Sequence, residues 1–350
     1  MKQRLKLLMA PVLLLAFACV PKPLRLPADL VWPIPPDLPR IQYVESFYGS
    51  DYFAPKWSHA IVDFLAGAEP AKHLVKPLGV AADQAGNVYI SDGPGYIMVL
   101  DRAAQKTRYI ANSGQARLGG PGGLTFSNEY NQVIAADPIK KRVLGIDPQS
   151  GKMVREISGK FDRPVAVAVD EVRDLLAVAD SQLHQVKLFS LKDNTPVITL
   201  GQHGGADGEF NYPIAVAFDR RGHLFVSDSM NFRVQEFDAS FTFVQSIGEM
   251  GIGSGQFARP KGIAIDSDGH LYVVDAAFGN VQIFDSEYGD NLLSFGGGGY
   301  GPGEFWVPNG MFIDDQDQIY IVDQVNRRVQ IFRYLSEDRA KALAAQRKPN

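Results

Sequence analysis

The chain has 350 residues, with 34 Gly, 22 Pro, one Cys, 11% aromatic residues and a formal net charge of −4. A single cysteine excludes an intramolecular disulfide framework and an all-cysteine zinc site, and the weakly acidic balance argues against a nucleic-acid partner, which a basic surface would serve. A hydrophobic content of 45% with 21% charged residues is enough for a core and excludes global disorder, while the abundance of Gly and Pro implies many turns.

Residues 1–18 carry Lys2, Arg4 and Lys6, then the apolar run Leu7 to Phe17, then Ala18 before Cys19. This is the layout of a secretory signal, with an apolar run too short to span a bilayer. The sequence Ala16-Phe17-Ala18-Cys19 resembles the lipobox of bacterial lipoproteins, although Leu is usual where Ala16 stands and a small or β-branched residue where Phe17 stands. The resemblance implies cleavage before Cys19, lipidation of its thiol and new amine, and an extracytoplasmic protein anchored to the envelope, at the outer membrane rather than the inner. Removal of residues 1–18 deletes three positive and no negative charges, taking the net charge to −7. Residues 19–40 follow as a linker containing Pro21, Pro23, Pro27, Pro33, Pro35, Pro36 and Pro39. Proline density of this kind predicts an extended, semi-rigid spacer that neither pairs as a strand nor continues a helix.

Beyond the linker the chain repeats itself. A proline opening a short apolar run recurs at Pro77, Pro121, Pro164, Pro213, Pro260 and Pro308, and an aspartate closing the next run recurs in step at Asp92, Asp137, Asp180, Asp228, Asp275 and Asp323. The copy from Arg259 to Gly296 shows the unit: Pro260 to Asp266, a Ser-Asp-Gly turn, His270 to Asp275, Val281 to Asp285, and Asn291 to Gly296. Each run is short, rich in β-branched and aromatic residues and bounded by turn formers, so each copy reads as four strands. Four strands per repeat of about 45 residues predicts an all-β fold, a β-propeller of six blades. A third marker, Gly-x-x-Gly-x-x-x-Gly-x-Phe, occurs at Gly201 to Phe210, Gly248 to Phe257 and Gly296 to Phe305. Its glycines suit positive φ, and its phenylalanine is placed to pack between blades.

The segments Asp228-Ser229-Met230-Asn231-Phe232-Arg233-Val234-Gln235 and Asp323-Gln324-Val325-Asn326-Arg327-Arg328-Val329-Gln330 resemble the NHL repeat, and the likeness extends over about residues 77–333. It departs in blade one, which has a one-residue deletion after Asp92, and in blade two, which has Pro138-Ile139-Lys140 in a loop that is usually more polar. The sixth copy lacks a fourth strand. Tyr43 to Phe47 resembles Phe243 to Ile247, the outer strand of blade four, so residues 41–48 are predicted to complete blade six and close the ring, making 41–334 one domain. An insertion at 50–76 carries Trp57, Ile61, Phe64 and Leu65 at helical spacing, which predicts a short amphipathic helix beside the channel mouth. Residues 335–350 read as a charged, helix-prone tail.

In such a propeller the loops before each first strand and those between second and third strands share one face. The first set presents Lys76, Arg163, Tyr212, Arg259, Lys261 and Asn309. The second presents Tyr96, Lys140, His184, Asn231, Phe232, Phe278 and Arg327. Together with Trp57 they form a cationic and aromatic rim, suited to an acidic protein or peptide partner. The recurring aspartates read as turn braces, with Arg142, Arg233 and Arg328 as further partners. Asp266-Ser267-Asp268-Gly269 has calcium-like spacing but lacks the remaining ligands of a binding loop, and reads as a hairpin turn.

Peptidyl-hydroxyglycine amidating lyase, a six-bladed relative with histidine-bound metal, prompts a test of the six histidines. His223 and His270 occupy equivalent turns and are expected to point outward on the opposite face. His59, His73, His184 and His203 lie in different loops. Three converging zinc ligands are not visible, so no metal, cofactor or catalytic residue is assigned, and no GxSxG, HExxH or GxxxxGK motif occurs. The expectation is a monomeric, non-enzymatic binding scaffold that meets the membrane only through its lipid. The alternatives are a lyase, lactonase or other hydrolase at the channel mouth, with zinc or calcium, and an assembly factor for an extracytoplasmic electron-transfer complex, which the resemblance to NHL lipoproteins implies.

Overall fold

The computed structural model describes residues 30–53 and 72–346. Five four-stranded antiparallel sheets follow one another along the chain, and a sixth sheet joins the two ends. The inner strands are Pro77–Ala82, Leu124–Ser127, Pro164–Asp170, Pro213–Phe218, Pro260–Ile265 and Pro308–Ile313. Each contacts the next, and the last contacts the first, so they ring a central channel. The second strands are buried along almost their whole length, as in Val88–Asp92 and Leu224–Asp228, whereas the outermost strands alternate, as in Asn291–Gly296. That gradient is what a blade sandwiched between two others requires, with only its outer edge wetted.

The core is divided into six clusters, one at each junction between neighbouring blades. Between blades one and two it holds Tyr89, Val99, Leu124 and Leu144, and between four and five Phe225, Phe257, Leu271 and Phe284. The motif phenylalanines Phe210, Phe257 and Phe305 are each 0–1% exposed and occupy successive junctions, as their spacing predicts. The glycines that open the motif, Gly201, Gly248 and Gly296, have φ of +83°, +81° and +85°. Each lies under the ring of its own motif phenylalanine, where a Cβ would collide.

Ring closure uses the predicted N-terminal strand. Ile41–Phe47 pairs antiparallel with Arg328–Tyr334, matching Ile41 with Tyr334 and Phe47 with Val329. Phe47 joins the cluster between blades six and one, and Ile41 the cluster between five and six, so this one strand supplies core to both neighbours of its blade.

The linker differs from its expected role as a spacer. Val31–Trp32 pairs with Gln42 and Ile41, adding a fifth strand to blade six. Proline excludes a residue from a ladder only where its own N–H is needed, and here Pro33 lies outside the two-residue pairing. Trp32 then packs against Phe295 and Phe332, with ring centroids 5.7 and 5.9 Å away. The tail forms the helix Glu337–Gln346, whose Ala340 is fully buried and whose Arg339 lies 3.8 Å from Asp317. The amphipathic helix expected around Trp57 falls outside the described residues, as do Cys19 and the leader.

Candidate functional site

The face with the blade-opening loops is held in shape by the six recurrent aspartates, all with no exposed surface. Proline at the start of an inner strand has no N–H to give, and in five blades that proline lies directly opposite the aspartate across the first ladder. The carboxylate instead accepts N–H groups from the residues just before the proline. Asp180 takes those of Asp162 and Arg163 at 2.7 and 2.9 Å, and Asp275 those of Ala258 and Arg259 at 2.7 and 3.1 Å. Asp92 binds the N–H groups of Val75 and Lys76 in the same way. Arginines complete the bracing: the buried Arg142 and Arg328 lie 3.5 and 2.8 Å from Asp137 and Asp323, and the partly buried Arg233 lies 3.1 Å from Asp228. These aspartates are therefore braces, as their turn position implies, and Asp266 likewise accepts the N–H groups of Asp268 and His270 within its hairpin turn.

A second brace was not foreseen. Buried glutamines in the third strands, Gln235, Gln282 and Gln330, each accept an N–H from the third motif glycine at 2.9 Å. Each donates back to a motif carbonyl, those of Glu209, Gln256 and Glu304, at 2.7 Å. Two hydrogen bonds from one side chain thus pin each of these motif loops to the blade that follows it.

On this frame the opening loops surround a recess of about 590 Å³ at the channel mouth. Of the first predicted set, Lys76, Arg163, Tyr212, Lys261 and Asn309 line it, while Arg259 does not. The walls are otherwise small or apolar, among them Leu78, Val165, Ile214 and Met311, and no lining residue is acidic. Burial pushes the Lys261 ammonium below its ordinary value, and the neighbouring Arg259 and Arg163 charges push the same way.

The second set is divided by its contacts. Asn231 is committed to the frame through Gly204 and Asp228, both at 2.8 Å, and Phe232 sits at φ +57° against the cluster between blades four and five. Tyr96 donates to Asp92 at 3.2 Å and packs on Tyr109, and burial followed by the Asp92 charge raises its pKa. Lys140 donates to the Arg117 carbonyl at 2.6 Å. Arg327 is exposed. Phe278 borders a separate hollow of about 420 Å³ with Tyr300 and Trp306, which stack edge-on at 4.6 Å. Tyr300 and Trp306 belong to a motif loop, whose glycine pattern drew attention away from its aromatic residues. Trp57 lies outside the described residues.

His184 and His203, distant in sequence, have ring centroids 4.4 Å apart, and Tyr212 stacks on His184 at 4.7 Å. Nδ1 of His184 accepts the Tyr212 N–H at 3.1 Å, and burial with the neighbouring His203 lowers the His184 pKa. His223 and His270 lie on the opposite face but do not point outward as expected. Each turns in on a buried carboxylate, Glu236 at 2.7 Å and Asp266 at 2.9 Å, and joins the donors already gathered there, Gln245 at Glu236 and Tyr272 at Asp266. Among the described residues no group of three or more His, Cys, Asp and Glu side chains is placed to hold a metal ion.

Six radially arranged four-stranded sheets, closed by a strand from the other end of the chain, define a six-bladed β-propeller. Residues 267–338 match a family model described as a 6-bladed beta-propeller, and residues 210–237 match that of the NHL repeat. The chain is similar to NHL repeat-containing protein 3 of Mus musculus, at 29% identity over 199 residues and 54% of each chain. It is also similar to the Homo sapiens protein of that name, at 30% identity over 99 residues and 28% of each. The chain thus spans about half or less of the length of these curated relatives. Among solved structures it resembles a structural genomics protein of unknown function from Bacteroides thetaiotaomicron, with a TM-score of 0.60 and 17% identity, over 76% of this chain and 71% of that one. That likeness is one of fold.

Proposed function

We propose that this propeller is a non-enzymatic scaffold, held to a bacterial envelope by lipid on Cys19, that docks an acidic protein or peptide on the face around the channel mouth. The observation that carries this reading is the recess lined by Lys76, Arg163 and Lys261 without a single carboxylate, on a chain whose net charge is negative. Like charges gathered against the global balance attract a partner of opposite sign and steer its approach. The opposite mouth of the channel is lined by Asp170, Glu171, Asp219, Asp266, Asp314 and Asp315 as well as Arg173, Arg220 and Arg221, so the two ends of the molecule differ in character.

Affinity capture from detergent-solubilised envelopes tests the proposal. The full chain should retain partners that the triple variant Arg163→Glu, Arg259→Glu, Lys261→Glu loses, and Cys19→Ser should move the protein to the soluble fraction. Retention of every captured protein by the triple variant would place docking elsewhere. Bound zinc or calcium at one per chain, whose chelation abolished turnover, would favour the enzyme alternative.

A further inference from the structure

The cations at the mouth follow the blade symmetry. The residues flanking each blade-opening proline place Lys76 on blade one, Arg163 on blade three, and Arg259 and Lys261 on blade five. The same positions on blades two, four and six hold Gly120 and Gly122, Tyr212 and Ile214, and Val307 and Asn309. Because the six inner strands close in a ring, alternate blades stand a third of a turn apart. Lys76, Arg163 and Lys261 therefore face one recess from three directions, separated by uncharged walls.

Within the recess no carboxylate lines the wall opposite them. None of the three side chains makes a hydrogen bond or ion pair among the described residues, and the main-chain N–H groups of Lys76 and Arg163 are bound by Asp92 and Asp180, which hold the backbone of both positions in place. Lys261 is half-buried beside two guanidinium groups, an arrangement that destabilises its own charge and that an anion would relieve. The recess, at about 590 Å³, is of the size that encloses small molecules, and its apolar lining suits a carbon skeleton.

We propose that the channel mouth binds a small organic polycarboxylate on the propeller axis, with carboxylates directed at Arg163, Lys261 and Lys76. Three separated cations match three separated carboxylates on one compact skeleton better than they match a single phosphate. The opposite mouth, where carboxylates outnumber arginines, offers an anion a less favourable lining. The inference uses the same face as the docking proposal but does not require a protein partner.

Isothermal titration of the full chain at physiological salt, with tricarballylate as probe and acetate and inorganic phosphate as comparisons, tests it. One tricarballylate should bind per chain, at least about tenfold more tightly than either comparison anion. Arg163→Gln and Lys261→Met should each weaken binding by about tenfold or more, and Arg327→Gln, an exposed cation on the same face but outside the recess, should leave it unchanged. Arg163 is exposed and lies outside the core, so its variant keeps the test valid should Lys261→Met fold poorly. Equal affinity for acetate, undetectable tricarballylate binding at millimolar concentration, or binding indifferent to Arg163→Gln would each overturn the proposal. Tricarballylate binding without capture of an acidic protein would remove the docking reading and leave this one standing, and the reverse result would do the opposite.

Discussion

Removing the Phe47 side chain, at the C-terminal end of the ring-closing strand, should weaken the whole domain. Phe47 is 1% exposed, packs among Leu74, Val322 and Val329 where blade six meets blade one, and has Tyr52 edge-on at 5.4 Å. Truncation of a fully buried phenylalanine to alanine costs about 3–5 kcal/mol, because transfer and cavity terms add. At about 2–4 °C per kcal/mol for a large domain, Phe47→Ala should lower the melting temperature by on the order of 10 °C. Val44, on the same strand, lies at the register shift between Tyr43 and Glu45 and is 39% exposed, so Val44→Ala should shift it by no more than a degree or two. Differential scanning calorimetry of both variants decides the matter. If Phe47→Ala melted with Val44→Ala, residues 41–47 would be an ornament on a ring already closed without them.

Two further outcomes follow from the braces. Arg328 is 1% exposed and binds Asp323 at 2.8 Å and the Gly301 and Glu304 carbonyls at 2.7 Å, so Arg328→Met strands a buried carboxylate and should destabilise by about 3–5 kcal/mol in urea titration. A loss under 1 kcal/mol would mean that Asn326 and Gln330 suffice to hold Asp323. His270 has its pKa raised by its hydrogen bond to Asp266, against a desolvation effect of opposite sign. Its contribution is therefore fully present below the unfolded value of about pH 6.5 and is lost as pH rises through the higher folded value. His270→Gln should flatten the decline in urea midpoint above pH 6.5, and an unchanged slope would assign that decline to other groups.

What could be read from the residues, and what could not, divides along physical lines. Pro77 through Pro308 and Asp92 through Asp323 were legible because each does something few residues can: proline removes a donor, and aspartate restores acceptors to the N–H groups left beside it. The closing strand was legible because Tyr43 to Phe47 repeats the pattern of Phe243 to Ile247. Gln235, Gln282 and Gln330 escaped notice because a polar residue inside a strand looks like ordinary alternation until its partners, more than 20 residues away, are placed. Val31–Trp32 was hidden by the prolines around it, and the stacking of His184 on His203 by the 18 residues between them. At the channel mouth the identities of Lys76, Arg163 and Lys261 were readable, but the absence of carboxylates from the same recess is a property of the assembled ring. Of the thirteen rim residues other than Trp57, five line that recess, while others, such as Asn231 and Phe232, serve the frame, a distinction that residue type alone does not carry.

Ring closure also sets the order in which the molecule can be made. Ile41 pairs with Tyr334, so the strand that emerges early from the ribosome, beyond its short pairing with Val31–Trp32, has no blade to join until nearly the whole chain exists. Blades one to five are each built from contiguous sequence and can form as they appear, but the sixth must wait, because loop closure over so long a span is entropically the slowest kind of contact. Until that moment Arg328–Tyr334 presents an unpaired edge and Ile41–Phe47 a free strand of matching pattern, the pair of surfaces from which exchange between two copies would begin. For this architecture the hazardous interval lies at the end of synthesis, and dilution at that stage should favour the closed single ring over linked ones.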